Sequence, residues 1–282
     1  MEEDQWDLEK DLSQCLNKSK YADLRFVVGK DKDIFYAHKL LVSISCPYWR
    51  KVFYFKDWQS VRRSKFIDVL VPEIESNLFC QFLEFVYLRK ANITHENIFG
   101  LQELSVKYEM PELDEYCSKS VYSCLSFHNC LNFYEKTKLL GLVKWSETIL
   151  KYIEKNSASV INNQNCLVSL KKETVHEILS LQKLYVPEIV LFRSLINWAK
   201  NNQQTNSKHS QEFTLKRILR GFLQHIRLDL LDFPDIQEIR NYDLFSDQEL
   251  FRTAIGLAKK NSFQLPTKTR ANNLILTLDH NK

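Results

Sequence analysis

Hydrophobic positions near the N-terminus recur first at helical and then at strand spacing. Leu8, Leu12 and Leu16 fall at i, i+4 and i+8, with Trp6 and Cys15 beside them, which predicts a short amphipathic helix. A helix placed ahead of the first strand has little core of its own and invites packing on a partner. From Asp23 to Val28 the period drops to two, putting Leu24, Phe26 and Val28 on one face of a strand. The polar run Gly29 to Asp33 predicts a turn, and Ile34 to Ala37 completes a β-hairpin. His38 to Ser45 is rich in Leu and Ile and stops at Cys46-Pro47, where proline bars helical continuation. Tyr48 to Phe55 resumes as a helix, Lys56 to Lys65 is polar and basic, and Phe66 to Val71 reads as a third strand ended by Pro72.

Beyond Pro72 the spacing is helical. Ser76 or Asn77 is expected to cap a helix carrying Leu78, Phe82, Phe85 and Val86. Thr94 is expected to cap the next, with Ile98, Leu101, Leu104 and Tyr108 on one face. Met110-Pro111 breaks that helix, and Pro111 opens another through Leu113, Tyr116, Cys117 and Val121. Ser126 reads as the cap of a second domain of antiparallel helices. These cover Cys130 to Leu140, Leu142 to Glu154, Ala158 to Asn163, and Lys172 to Leu181. A strong helix opens at Pro187, with Leu191, Leu195 and Trp198 sharing a face. Asn201 to Gln211 is almost without apolar residues and predicts an exposed loop. Phe213 to Leu223, a segment around Ile226 to Phe233, and Asp247 to Lys259 follow. Leu265 to Lys282 holds Leu274, Ile275, Leu276 and Leu278, either a strand in want of a sheet or an unstructured end.

Composition supports this division. The 282 residues are 44% hydrophobic, enough for two domains, and the five glycines suit short helical connections better than an all-β fold of tight turns. The net charge of +4 is thinly spread and builds no basic stripe for nucleic acid. No apolar run is long enough to span a membrane, and the acidic, polar first ten residues do not form a signal peptide. Seven scattered cysteines, most among apolar neighbours, fit reduced thiols in the cytoplasm or nucleus.

Candidate chemistry is sparse. Cys117, Cys124, His128 and Cys130 form one Cys/His group, but zinc ligands usually pair at C-x2–4-C and here six residues intervene between the first two cysteines. We read them as core cysteines. There is no glycine-rich phosphate loop and no G-x-S-x-G elbow. His38, at a strand-to-helix junction, reads as a structural histidine that hydrogen-bonds there. No cofactor and no catalytic residue is expected.

Several motifs occur in order and at matching spacing. They are Tyr21-Ala22-Asp23-Leu24, Ala37-His38-Lys39-Leu40-Leu41, Ser45-Cys46-Pro47-Tyr48-Trp49, Phe66 to Pro72, Phe82 to Tyr87, and Leu104 to Leu113. Together they resemble the BTB/POZ domain. Asn129-Cys130-Leu131, Leu170 to Leu179, Val186 to Ala199, and Ile226 to Leu231 resemble the BACK domain that follows BTB in many adaptors, here most like those not of the kelch type. The resemblance implies an α+β BTB/POZ domain, a small sheet with helices, followed by an all-α BACK domain. The expected boundaries are an N-terminal dimerisation helix at 1–19, BTB/POZ at 20–123, BACK at 124–260 and a tail at 261–282.

The resemblance also implies a non-catalytic adaptor. BTB domains form two-fold dimers, and the matching positions here are Leu8, Leu12, Leu16, Tyr21, Asp23 and Leu24. Many BTB–BACK proteins are substrate adaptors of cullin-3 ubiquitin ligases, and the positions assigned to the cullin are Phe53, Tyr54, Asp57, Trp58, Gln59, Met110 and Glu112. The sequence departs from the family at Asp57-Trp58-Gln59, where cullin-binding members carry a hydrophobic residue and a glutamate two positions apart. After Lys259 only a short stretch remains, too short for a client-binding domain. Two readings stay open: a homodimeric cullin-3 adaptor for an unknown client, and an oligomerisation scaffold that does not recruit the ligase.

Overall fold

The computed structural model describes residues 7–55, 65–161, 166–203 and 211–261. The chain divides into two compact units, Met1–Cys124 and Leu125–Lys282.

The first unit is α+β. Helix α1 (Leu8–Cys15) precedes strand β1 (Leu24–Val28), which pairs antiparallel with β2 (Asp33–Ala37) in the register Leu24 opposite Ala37 and Val28 opposite Asp33. The connecting turn needs left-handed backbone at Gly29 (φ +71°) and Lys32 (φ +59°). A side chain at Gly29 would also bring a Cβ within 3.3 Å of the Ile74 carbonyl, so glycine suits the position on two counts. Helices α2 (Lys39–Ser45) and α3 (Pro47–Phe55) lead to β3 (Ile67–Val71), which runs parallel to β1, giving the order β2-β1-β3. Helices α4 (Ser76–Leu88), α5 (Ile98–Lys107) and α6 (Pro111–Ser120) complete the unit.

The alternation read from the sequence decides which face is covered. Leu24, Phe26 and Val28 are buried while Arg25 and Val27 are half-exposed on the other side. Phe26 packs on Trp49 of α3 at 5.4 Å between ring centroids and on Phe79 of α4 at 5.0 Å. Removing such a ring costs about 3–5 kcal/mol. On the open face Arg25 sits directly across from Asp68 and binds it at 2.6 Å, lying also over the Phe66 ring.

Two sequence expectations need correction here. Helix α4 follows Glu75 rather than a Ser76 or Asn77 cap, because the Ser76 hydroxyl is drawn to the Asp33 carboxylate. Its buried face is also wider than expected, with Phe79, Leu83 and Tyr87 inside and Leu78 only half-buried. Thr94 acts one turn ahead of α5. Its amide donates to Asn97 Oδ1 at 2.8 Å and its hydroxyl accepts from the Asn97 amide at 3.4 Å.

The second unit is helical: α7 (Cys130–Leu139), α8 (Val143–Lys155), α9 (Ser157–Val160), α10 (Lys172–Ser180), α11 (Glu188–Gln203), α12 (Gln211–Leu219), α13 (Phe233–Arg240) and α14 (Asp247–Asn261). Short 3-10 turns at Leu223–His225 and Leu228–Leu230 lie between α12 and α13. Its centre is α11, where Leu191, Leu195 and Trp198 are buried as their spacing predicts, joined by Phe192, Ile196 and Ala199. The Trp198 indole donates to the Leu170 carbonyl at 2.9 Å, so the large ring is buried without an orphaned N–H. Arg193 holds Glu238 of α13 through two bonds, 2.8 and 2.5 Å. Helix α11 runs two residues past Asn201, where a loop was expected. Helix α13 was not foreseen at all.

Candidate interaction faces of the N-terminal unit

The first face is built by α1, the segment 16–23 and α2. Asp7 caps α1 by accepting from the amides of Glu9 and Lys10 at 3.0 and 3.3 Å. The helix lies on α4, tied by the Glu9–Lys90 ion pair at 2.8 Å, yet none of its residues is buried. Leu8 is 53% exposed, and Leu12 and Leu16 are half-covered. The expected apolar stripe is therefore present and incompletely used within the chain.

After α1 the backbone turns twice through the left-handed region, at Asn17 and Tyr21. Asn17 Oδ1 accepts from the Tyr36 amide at 2.9 Å, fixing the first turn to β2. Tyr21 is 80% exposed, with the Lys20 ammonium over its ring. Asp23 accepts from the Lys39 amide at 2.7 Å and so caps α2 from a distant part of the sequence. Leu24 corrects the expected interface, because it is fully buried under its own sheet and offers a partner no side-chain surface. Sequence reasoning missed Leu40 and Ile44, which are 70% and 59% exposed one turn apart on α2. Their i, i+4 spacing was the available signal.

His38 anchors this face. Its amide donates to the Tyr87 hydroxyl oxygen at 2.9 Å, its Nδ1 lies 2.7 Å from the same oxygen, and its Nε2 lies 3.2 Å from the Lys20 carbonyl. A carbonyl can only accept, so Nε2 carries the proton and Nδ1 accepts from Tyr87. Every polar group in the set is then paired. Burial pushes the Tyr87 hydroxyl up to about 12, keeping it a donor. His38 is a structural histidine, as its position suggested.

The second face joins α3 to the turn between α5 and α6. Tyr48 and Trp49 contact the Tyr108 ring at 5.4 and 5.5 Å, the Cys46 thiol donates to the Tyr108 carbonyl at 3.4 Å, and Lys51 pairs with Glu109 at 2.5 Å. Of the residues assigned to the cullin, Tyr54 is 83% exposed and Glu112 is exposed. Phe53 and Met110 are corrected, since both are buried. Phe53 stacks on Trp49 at 5.7 Å, and Met110 is only 1% accessible. They support the face from beneath. The Trp49 indole N–H is buried without a hydrogen-bond partner among the described residues. Asp57, Trp58 and Gln59 lie outside those residues.

Reactive chemistry is muted elsewhere. Burial raises the thiols of Cys46, Cys130 and Cys166 to about 11 and that of Cys117 to about 12. Among the described residues no three His, Cys, Asp or Glu side chains converge as a metal site, and no helix is long and apolar enough to cross a membrane.

Comparison with known proteins matches the same two units. Residues 12–125 match the BTB/POZ domain model and residues 130–241 the model described as BTB And C-terminal Kelch, or BACK. The chain is 23% identical over 235 residues to BTB/POZ domain-containing protein 9 of Homo sapiens, covering 82% of this chain and 36% of that protein. It is 24% identical over 233 residues to Kelch-like protein 38 of Mus musculus, covering 81% of this chain and 37% of that protein. Kelch-like protein 30 of Homo sapiens is 23% identical over 249 residues, covering 87% and 40%. The chain thus spans little more than a third of the curated relatives it matches. With both domain models met in sequence order, on an α+β unit and then a helical one, the chain carries a BTB/POZ domain followed by a BACK domain.

Proposed function

We propose that this chain is a homodimeric, non-catalytic adaptor of the cytoplasm or nucleus that joins a cullin-3 ubiquitin ligase to a client protein. The observation that carries the reading is the face made by α3 and the α5–α6 turn. Tyr54 and Glu112 are exposed on it, next to the Tyr48–Tyr108 ring contact and the Lys51–Glu109 ion pair that join α3 to the turn, and a partner docking there meets elements already packed together. Dimerisation is supported by Leu8, Tyr21, Leu40 and Ile44, exposed apolar and aromatic side chains of the kind a self-complementary interface buries.

The test is calorimetric titration of the full chain with the cullin-3 N-terminal region. We expect a complex that Tyr54→Ala weakens by about tenfold or more. No heat of binding at concentrations on the order of tens of micromolar would refute the ligase role. Asp57-Trp58-Gln59 favours a second reading, a dimeric scaffold that does not recruit the ligase. On that reading wild type does not bind, and the pair Asp57→Leu with Gln59→Glu creates affinity.

A further inference from the structure

The C-terminal part of the second unit presents an apolar groove. Helices α13 and α14 flank a cavity of about 520 Å³, lined by Phe233, Ile236 and Arg240 on one side and Asp247, Leu250 and Phe251 on the other. Ile236 and Leu250 are almost covered, at 8% and 5% exposure, whereas Phe233 and Phe251 stand 45% and 66% exposed. Ile255, one turn beyond Phe251, is 41% exposed and extends the ridge. Helix α14 is already anchored through Leu250 and Leu257, so this ridge is a second apolar face. Arg240 and Asp247, 70% and 81% exposed, form a loose pair at 3.3 Å on the groove's rim.

The chain following α14 has the complementary composition. Leu274, Ile275, Leu276 and Leu278 place four apolar residues in five positions, between Arg270 and Asp279. Thirteen residue steps separate Asn261 from Leu274, an extended reach of up to about 45 Å. Phe251 lies only about 15 Å back along α14 from Asn261. The tether is therefore long enough, and closing it adds little entropy cost, since that cost grows only slowly with length. A tethered segment is also present at an effective concentration in the millimolar range, above that of most free partners. The flanking charges match the rim, with Arg270 available to Asp247 and Asp279 to Arg240.

We propose that Leu274–Leu278 docks in the α13–α14 groove of its own chain and covers Phe233 and Phe251. The inference does not depend on the cullin reading.

Hydrogen–deuterium exchange on the full chain tests it, comparing wild type with Leu276→Asp and with Thr267→Asp outside the apolar run. Both substitutions follow α14 in the sequence and replace no residue of a described helix. We expect peptides from α13 and the first half of α14 to exchange at least about tenfold faster in Leu276→Asp, with Thr267→Asp and all peptides of the first unit unchanged. Equal exchange in wild type and Leu276→Asp would overturn the proposal, leaving the groove to a separate partner. Protection that disappears on dilution of wild type would also overturn it, assigning the groove to a second copy.

Discussion

The Tyr87 hydroxyl offers a clean perturbation, because Tyr87→Phe deletes one oxygen and keeps the ring that packs against His38 at 6.0 Å. Tyr87 is 4% exposed, and its oxygen accepts from the His38 amide and donates to Nδ1. The substitution leaves both His38 groups without that partner. An unpaired buried polar group costs about 1–3 kcal/mol, and His38 is half-buried, so each group falls near the lower end. The expected loss is about 2 kcal/mol, confined to the first unit. For a unit of this size that lowers its melting temperature by about 5–10 °C. Urea unfolding followed by hydrogen exchange resolves the two units separately, and the His38 amide should lose its protection outright. A loss below about 0.5 kcal/mol, with the amide still protected, would show that water replaces the hydroxyl and that the tie to Lys20 does not depend on it.

Three further outcomes are expected. If the chain dimerises through α1 as proposed, Leu12→Asp should give a monomer by light scattering without unfolding the chain, since Leu12 is only half-covered in its own fold. Glu177 is pushed up by burial but held below the ordinary value of 4.5 by the Lys138 ammonium and the Tyr134 hydroxyl, the latter at 2.7 Å. A depressed carboxyl stabilises above its unfolded value, so the second unit should lose stability as pH falls below about 4.5, and Glu177→Gln should flatten that limb of the acid denaturation curve. In thiol titration at pH 8, Cys80, exposed although partial burial raises its thiol, and Cys15 should form the fast class, while the buried Cys46, Cys117 and Cys130 should react only as the chain unfolds.

What the sequence showed and what it hid divide along physical lines. Leu24, Phe26 and Val28, or Ile98, Leu101, Leu104 and Tyr108, carry their burial in their own spacing, and they are buried as predicted. The parallel pairing of β1 with β3 left no local trace, because the partners are 43 positions apart at Arg25 and Asp68. Likewise nothing near His38 announced Tyr87, or near Lys39 announced Asp23 as its cap. Leu24 and Met110 were assigned to interfaces by motif position, which does not say which way a side chain points. Helix α13 had a readable signal, Asp232 and Asp235 three apart around Pro234, but its apolar residues were too few to draw attention.

That signal recurs. Thr94 with Asn97, Ser126 with Asn129, Asp232 with Asp235 and Ser246 with Glu249 each exchange side-chain and backbone bonds three residues apart just before or at a helix start. Each device is complete within four residues, so it sets where a helix begins without help from the core. The phase of the apolar face is then fixed before the helix meets its neighbours. A change in the size or shape of a core side chain therefore leaves these helix starts in place.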